Sequence, residues 1–371
     1  MKLVIFMGHH KVGSTSLQRF LSQNYLGLLK AGILYPSVES QGFSHNIAAA
    51  LNGADFEGDL PINVREPHNA LAFRMIADVA HGTVPPFHKN LPHFRKMFVA
   101  INEQIATLKP RAMILCGEVL SNFAAADVRL IELLKTAFDV SDVTIVATLR
   151  RPDDYLISWH GQRLKFGHTV AALRDDAVGQ YARSIHFDYQ LMLEAWTEVF
   201  DTARFVVRDY SDIRASGGSV EDFLQHSGLK FPENLRRFSD ANPSIPTSLM
   251  EIARRANHAL PEPQARRVRK FLMGLSDKLS LPPNHDVEMF GAENRQNLAW
   301  QFEAANSFLC ASFSERDDGQ FFADFDKITQ IKPLPELDAA NDALAQVKKI
   351  LSDSDLSPEG RAFIAGLSLG A

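Results

Sequence analysis

A lysine and three hydroxyl side chains lie in a glycine-rich segment close to the start of the chain. The segment reads Gly8-His9-His10-Lys11-Val12-Gly13-Ser14-Thr15-Ser16-Leu17, and it joins a short apolar run to a stretch with helical spacing. A glycine-rich turn at a helix start presents backbone N–H groups and the positive end of the helix dipole, which favour a bound phosphate. The sequence therefore predicts a phosphate-binding loop, with added donors from the hydroxyls.

The lysine of this loop does not occupy the position that an ATP or GTP motif requires. In the Walker A pattern the lysine directly follows the second glycine, whereas Ser14 follows Gly13 here and the lysine comes earlier, at Lys11. A lysine at the start of the loop can instead reach the oxygen that bridges a 5′-phosphate and a group being transferred. The simpler alternative is a strand-to-helix turn in which Ser14 or Thr15 only caps the helix.

A second anion-binding pattern follows the apolar run Val143–Leu149, which ends in Arg150, Arg151 and Pro152. Pro152 suits the first turn of a helix. Arg150 and Ser158 are eight residues apart, so an arginine at a strand end and a hydroxyl two turns into the helix can converge on one anion. Arginine suits this role because its planar donors match phosphate oxygens in pairs. The alternative is a surface ion pair between Arg150 and an aspartate of the helix, and we expect Arg151 to be solvated.

Together these two patterns resemble the nucleotide-dependent sulfotransferases. The 5′-phosphosulfate loop of that family reads Lys-x-Gly-Thr-Thr or Lys-x-Gly-Ser-Thr before a helix, and the matching residues here are Lys11, Gly13, Ser14, Thr15 and Ser16. The family's 3′-phosphate element is a strand, Arg-x-Pro and a serine on the next helix, matched by Arg150 and Ser158. The resemblance implies a 3′-phosphoadenosine 5′-phosphosulfate (PAPS) donor that is bound by both groups of residues. Strong matches are confined to these two elements, although the layout agrees over about Met1 to Asn306.

The reaction that this resemblance implies needs fixed positive charge and a base. A sulfuryl group carries less charge than a phosphoryl group, so its transfer can proceed by positioning and electrostatic stabilisation without a metal. Lys11 would neutralise charge on the leaving phosphate. Glu118 is the first candidate base because it follows a central apolar run, and its alternative role is an acid in a first helical turn. His45 is the second candidate, and its alternative is a surface or packing residue.

Other residues near these motifs have weaker assignments. His9 and His10 flank the phosphate loop, and we expect one of them only to pack. Arg236 and Arg237, which precede the turn at Asn242, could close over the 3′-phosphate as a basic loop does in the family. The sequence lacks the Arg-Lys-Gly triplet of the cytosolic small-molecule sulfotransferases. An Arg208-Asp209-Tyr210 stretch after a further apolar run also agrees with the family layout.

The elements that must position these residues indicate an α/β fold. Short apolar runs without polar alternation are typical of parallel strands covered on both faces, and they lie at Leu3–Met7, Ile33–Tyr35, Ala112–Cys116, Val143–Leu149 and Arg204–Val207. We predict a three-layer parallel sheet with flanking helices and ligands at its carboxyl edge, a P-loop NTPase-like sulfotransferase fold. Residues 1–330 would form one domain, with a helical insertion at 38–109 on the acceptor side, a helical C-terminal part and a helical tail at 331–371.

Composition limits the partners and the compartment. The chain has 371 residues and a formal net charge of -5, which argues against nucleic acid as a partner. The presence of only two cysteines argues against a disulfide framework and favours a reducing compartment. No apolar stretch is long enough for a membrane span or a signal-peptide core. We therefore expect a cytoplasmic protein without stable membrane insertion. The histidines lack a metal-ligand spacing, so no metal site is predicted.

The sequence thus predicts a PAPS-dependent sulfotransferase that acts on a hydroxyl of a carbohydrate or glycoconjugate. The carbohydrate acceptor depends on the family resemblance and on the long insertion. Two alternatives stay open. One is a P-loop-type nucleotide kinase or NTPase, which would need a metal-binding acid after a strand and a lysine after Gly13. The other is a noncatalytic relative that binds a nucleotide or a glycan.

Overall fold

The structure, a computed structural model, describes residues 1–55, 58–176, 179, 181, 188–238 and 244–370. The turn predicted at Asn242 lies outside these residues. The chain divides into two compact units. The first unit contains residues 1–150, 188–240 and 305–321, and the second contains residues 151–187, 241–304 and 322–371. The predicted boundary between residues 330 and 331 stays a prediction.

A five-stranded parallel sheet forms the centre of the first unit. Its strands are β1 (Lys2–Phe6), β2 (Ile33–Leu34), β3 (Ala112–Cys116), β4 (Asp142–Leu149) and β5 (Arg204–Asp209), in the spatial order β2-β3-β1-β4-β5. Every residue of β3 is buried, as are the last six residues of β4, because both faces of these strands are covered. This explains their continuous apolar sequence. The mixed α/β fold with a parallel sheet is confirmed.

The register of the sheet aligns three strand ends. Phe6 at the end of β1 pairs with Cys116 at the end of β3 and with Val146 in β4. Because the three strands are parallel, the segments that follow them leave the sheet along one edge. The residues after β1, β3 and β4 are the phosphate loop, Glu118 and Arg150, so the topology alone places these three at the same edge.

Helices connect the strands of the first unit. They are α1 (Ser14–Gln23), α2 (Tyr25–Lys30), α3 (Ser40–Asn52), α4 (Ile62–Arg65), α5 (Pro67–Ala80), α6 (Phe94–Leu108), α7 (Phe123–Ala126) and α8 (Arg129–Thr136), and later in the chain α11 (Tyr189–Val199), α12 (Tyr210–Ala215) and α13 (Ser219–His226). Helix α1 packs its apolar side, including Leu17, Phe20 and Leu21, onto β1 and β3. Each such buried side chain contributes about 1.5–3 kcal/mol, so the loop before α1 is anchored at both of its ends.

The second unit is largely helical within the described residues. It contains α9 (Pro152–Lys165), α10 (Leu173–Asp176), α14 (Met250–Ala259), α15 (Glu262–Met273), α17 (Glu336–Lys349) and α18 (Pro358–Gly366), and a short parallel pair, β6 (Val287–Glu288) with β7 (Leu334–Pro335). The residues of α16 (Ala292–Phe313) are divided between the units. None of the helices in the described part of the chain is long and apolar enough to cross a membrane.

A buried ionic network holds the second unit together at the start of α9. Arg151 is only 6% exposed. Its guanidinium lies 2.7 Å from carboxylate oxygens of both Asp153 and Asp324. Arg295 contacts Asp153 at 3.4 Å and Glu288 at 2.7 Å, so the charges alternate in sign. The expectation that Arg151 would be solvated is therefore wrong. Its acidic partners come from distant parts of the chain as well as from the next turn, which no local pattern indicates.

Candidate active site

The phosphate loop has left-handed backbone at two of its residues. Lys11 has a φ of 65° and Gly13 a φ of 81°. A Cβ atom at residue 13 would lie 2.2 Å from Oγ of Ser219, the first residue of α13. The Ser219 hydroxyl also donates a 2.7 Å hydrogen bond to the carbonyl of Val12. Residue 13 must therefore be glycine for two reasons, its positive φ and the close approach of α13.

Helix α1 begins directly after Gly13 with the three hydroxyl residues. Gly13 is its N-cap and supplies no side-chain cap. The role of a capping residue considered for Ser14 or Thr15 is thus not the arrangement found. Thr15 is exposed and Ser16 is partly buried, whereas Ser14 is buried. The first-turn N–H groups of α1 and the dipole of this helix are directed at the loop, which is the geometry that binds a phosphate.

Glu118, the first residue of a short 3₁₀ helix after β3, extends its carboxylate to this loop. Its Oε2 accepts a hydrogen bond from the Ser14 hydroxyl, and its Oε1 lies 3.4 Å from Nδ1 of His10. Burial by itself raises the pKa of Glu118, but the charge and hydrogen bond of His10, followed by the hydrogen bond of Ser14, outweigh it. The positive charge of Lys11 acts in the same direction. The pKa of Glu118 therefore lies below its usual value, and the carboxylate is ionised at neutral pH.

The start of α5 fixes the backbone on both sides of Glu118. Nδ1 of buried His68 accepts a 3.0 Å hydrogen bond from the N–H of Cys116, and Oδ1 of Asn69 accepts one of 3.2 Å from the N–H of Val119. Burial lowers the pKa of His68 to about 3, so this side chain is a neutral acceptor. A Cβ at Gly117 would lie 3.1–3.2 Å from atoms of residues 68 and 69. No local sequence pattern indicates this role of His68 and Asn69, because α5 is far from Glu118 along the chain.

Arg150 lies beside the phosphate loop because β1 and β4 stay paired beyond the end of β1. The N–H of Met7 donates to the carbonyl of Val146, and the N–H of His9 donates to that of Thr148, at 2.9 and 3.1 Å. Arg150 is two residues further along the same edge. Its guanidinium stacks over the ring of Tyr210, 5.3 Å from the ring centroid.

The partners of Arg150 are aromatic rather than acidic. The Tyr189 hydroxyl donates a 2.6 Å hydrogen bond to its carbonyl, and the described residues contain no carboxylate in an ion pair with its guanidinium. The ion pair with an aspartate of the helix that was considered for Arg150 is made instead by Arg151, which is buried and binds Asp153 and Asp154. A guanidinium that is held by a ring and not by an acid keeps its donors for an anion.

The two histidines of the loop have different environments. His9 is 1% exposed, and its ring packs edge-on against Tyr189, with centroids 5.5 Å apart. His10 lies beside His9, with centroids 6.1 Å apart, and faces Glu118. One histidine of the pair therefore packs, as expected, and the other is part of the site. The sequence signal for His10 is its position next to Lys11.

The remaining predicted site residues are Arg237, His45 and Ser158. Arg237 forms a salt bridge with Glu221, at 2.6 Å, and stacks over the ring of Phe20. His45 lies on α3, which packs against α2 and α4. Ser158 lies on α9 in the second unit. The roles of these three residues stay predictions, while Lys11, Ser14, Glu118 and Arg150 share one sheet edge in the first unit.

The site can neutralise an anion with several groups. Lys11, the N-terminus of α1 and Arg150 supply positive charge or N–H donors, and Glu118 with His10 supplies groups that can accept a proton. Among the residues that the structure describes, no group of three or more His, Cys, Asp or Glu side chains could hold a metal ion. The arrangement suits group transfer between a phosphorylated donor and an acceptor hydroxyl.

No family model matches the chain. A protein of Archaeoglobus fulgidus described as uncharacterized is 29% identical over 198 residues, which are 52% of this chain and 52% of that protein. The chain therefore aligns with about half the length of this curated relative. A solved structure of a sulfotransferase from Alicyclobacillus acidocaldarius aligns with 84% of this chain and 95% of its own, at 13% identity and a TM-score of 0.33.

Proposed function

We propose that this protein is an enzyme that transfers a sulfuryl group from PAPS to a hydroxyl of a carbohydrate or glycoconjugate. In this proposal the loop from Lys11 to Ser16 binds the 5′-phosphosulfate end of the donor, and Arg150 binds its 3′-phosphate. Both cysteines are free thiols, which fits a reducing compartment such as the cytoplasm.

One observation carries the proposal. The hydrogen bonds from Met7 to Val146 and from His9 to Thr148 extend the β1–β4 pairing into the loop, so the two cationic elements lie at one sheet edge. A nucleotide with phosphates at both the 5′ and the 3′ position needs two separated cationic sites, and this edge offers them. The stacking of Arg150 on Tyr210 supports the same function because it orients the guanidinium without neutralising it.

The residues of this edge would act mainly on the leaving group. When sulfur is transferred, negative charge grows on the 5′-phosphate. The Lys11 ammonium and the first N–H groups of α1 would stabilise that charge because both are fixed by the fold before the substrate binds. Left-handed backbone at Lys11 and Gly13 sets the position of the lysine relative to the helix. Removal of the Lys11 ammonium should therefore lower turnover strongly while it changes the stability of the protein little.

A second candidate function is a P-loop-type kinase or NTPase, and one contact favours it. Ser14 donates a hydrogen bond to Glu118, an acid after the strand next to β1. P-loop NTPases hold Mg²⁺ with a loop Ser or Thr and an acid that follows a strand. Against this candidate, Ser14 stands where those enzymes have their lysine. The sulfotransferase is the better fit because Lys11 and Arg150 are both used.

Ligand binding separates the two candidates. We expect adenosine 3′,5′-bisphosphate to raise the thermal midpoint, and ATP with Mg²⁺ to have little effect. At a ligand concentration of about 100 times Kd the stabilisation is about 2.7 kcal/mol. If ATP with Mg²⁺ raises the thermal midpoint and adenosine 3′,5′-bisphosphate does not, the proposed sulfotransferase function is rejected.

A lysine pair provides the control for activity. Lys11→Ala should abolish transfer of ³⁵S from labelled PAPS to a panel of alkyl glycosides, with an unchanged circular dichroism spectrum. Lys30→Ala, at an exposed lysine in the last turn of α2, should leave transfer unchanged. Equal turnover by the Lys11→Ala protein would refute the role of this lysine, and no transfer by the unmodified protein to any glycoside would reject the proposed acceptor class.

A further inference from the structure

We propose that His10 and Glu118 form a catalytic dyad in which His10 removes the proton of the acceptor hydroxyl and Glu118 orients the imidazole. This inference rests on the proposed function, since it assigns the base of that same reaction. It differs from the sequence prediction, which gave Glu118 or His45 the role of the base. His10 directly precedes the lysine of the loop, and its ring faces the Glu118 carboxylate.

The geometry of the pair is that of a base with an orienting acid. Nδ1 of His10 lies 3.4 Å from Oε1 of Glu118, and their side chains are 12% and 22% exposed. With Nδ1 turned to the carboxylate, Nε2 is the atom that would accept a proton. A carboxylate at Nδ1 fixes the tautomer of a histidine and stabilises the imidazolium that forms. The pair is accessible enough for a substrate hydroxyl and sufficiently buried to keep its orientation.

Glu118 itself is poorly suited to be the base. Both of its oxygens are engaged, one with the Ser14 hydroxyl and the other with His10. These contacts hold its pKa below the usual value, and a weaker base gains less from proton transfer. Its backbone is also fixed on both sides by His68 and Asn69. These features describe a carboxylate that positions a neighbour.

His10 is also placed correctly relative to the leaving group. It directly precedes Lys11, so one short segment carries both the proton acceptor and the cation that would act on the 5′-phosphate. The buried ring of His9 packs beside it, which restricts the backbone from which the His10 ring projects. A base next to the transferred group can reach the oxygen that attacks it.

The transfer exchanges one bond to sulfur for another and moves one proton. The acceptor O–H bond breaks and its proton goes to Nε2 of His10, while the oxygen forms a bond to sulfur. The bond from sulfur to the 5′-phosphate oxygen breaks, and its electron pair stays on the phosphate beside Lys11. The products are a sulfate ester, adenosine 3′,5′-bisphosphate and an imidazolium paired with Glu118. Loss of that proton to water restores the enzyme.

Kinetics of a His10 variant test the base. In His10→Ala, ³⁵S transfer from PAPS to an alkyl glycoside should fall by about 10²–10⁴-fold, and added imidazole should restore part of the rate. The Kd for adenosine 3′,5′-bisphosphate should change little. His285→Gln, at an exposed histidine of the second unit, is the matched control and should transfer normally. A His10→Ala protein that keeps its rate, or that folds but is not rescued by imidazole, overturns the dyad.

A second readout needs no turnover. In protein labelled with ¹⁵N-histidine, and without any donor, His10 should carry its proton on Nδ1, and Glu118→Gln should remove that preference. A proton on Nε2 in the unmodified protein overturns the dyad even if sulfuryl transfer is found. Conversely, absence of transfer by the unmodified protein to every glycoside, with the Nδ1 tautomer present, rejects the proposed function while leaving the pair intact. The two hypotheses therefore fail through different results.

Discussion

Two adjacent arginines, Arg150 and Arg151, have opposite surroundings although their local sequence is the same. Arg150 stacks on Tyr210, and the described residues offer it no acidic partner. Arg151 is buried among three aspartates. An arginine without an acid is available to a ligand, whereas an arginine in a buried network stabilises the fold. We therefore expect Arg150 to contribute to ligand binding and Arg151 to contribute to the stability of the fold.

Replacement of Arg150 should affect binding and leave stability nearly unchanged. We expect Arg150→Ala to weaken binding of adenosine 3′,5′-bisphosphate by about 1.5–3 kcal/mol, the range for hydrogen bonds to charged groups. Arg150→Lys should recover part of this lost affinity, because the positive charge stays but the planar donors are lost. Titration calorimetry measures both. Arg129→Ala, at an exposed arginine of α8, is the control, and equal affinity in all four proteins would contradict the assignment.

Replacement of Arg151 should lower the stability of the protein and leave binding of adenosine 3′,5′-bisphosphate nearly unchanged. Arg151→Ala leaves Asp153, which has no exposed surface, with the 3.4 Å contact to Arg295 as its one remaining ion pair within the part of the chain that the structure describes. Loss of one partner of a buried ion pair costs about 3–5 kcal/mol. We expect a fall of that size in the free energy of unfolding, measured by urea denaturation. A change below about 1 kcal/mol, as for surface pairs, would show that Arg151 is solvated after all.

At the scale of elements, the contact of α13 with the phosphate loop predicts the effect of a Cβ at residue 13. Gly13→Ala places a methyl group 2.2 Å from the Ser219 Oγ at a φ of 81°. Left-handed backbone at a residue other than glycine costs about 1–3 kcal/mol, and the loop must also move. We expect a lower thermal midpoint and a loss of affinity for adenosine 3′,5′-bisphosphate, measured by scanning fluorimetry and calorimetry.

A double variant separates the clash from the backbone strain. Ser219→Ala removes the hydroxyl that the new methyl group meets but leaves the φ of residue 13 unfavourable. Gly13→Ala with Ser219→Ala should therefore regain part of the lost stability, so that the two effects are not additive. Strict additivity of the two substitutions would show that α13 does not press on Gly13 and that only the positive φ matters.

The sequence predicted the elements better than the contacts between them. All five strands were predicted from the sequence. In the central strands, side chains that are buried on both faces leave an uninterrupted apolar run, as in Ala112–Cys116. The phosphate-binding loop was predicted because Lys11 and Gly13 have the spacing of such a loop. The pairing of His10 with Glu118 could not be predicted, because the two residues are 108 positions apart in the sequence. They come together only through the pairing of β1 with β3. The approach of Ser219 to Gly13 was hidden for the same reason.

At the scale of the whole molecule, the chain alternates between its two compact units. The division falls between Arg150 and Arg151, inside the motif that predicted a 3′-phosphate element. A linear sequence shows composition changes, such as Pro333 and Pro335 before α17, but not which distant segments pack together. The contribution of Ser158, seven residues beyond that division, therefore stays a prediction.

Buried histidines predict how the stability of the whole chain depends on pH. Burial lowers the pKa of His68 and of His160 to about 3, and that of His88 to about 4. In the unfolded chain each histidine has a pKa near 6.5, so the unfolded state binds more protons between that pH and about 4. Stability from these groups is therefore present above pH 6.5 and lost as the pH falls. Burial raises the pKa of Glu336 to about 7, which opposes them.

Three histidines outweigh one glutamate, so the free energy of unfolding should rise with pH between about 4.5 and 6.5. Urea denaturation at a series of pH values measures the slope. His88→Gln should make it shallower by up to one proton. Glu336→Gln should make it steeper, because the group whose contribution declines as the pH rises is removed. His285→Gln, at an exposed histidine, should leave the slope unchanged. A flat profile for the unmodified protein would mean that these histidines are protonated in the folded state and have found acidic partners.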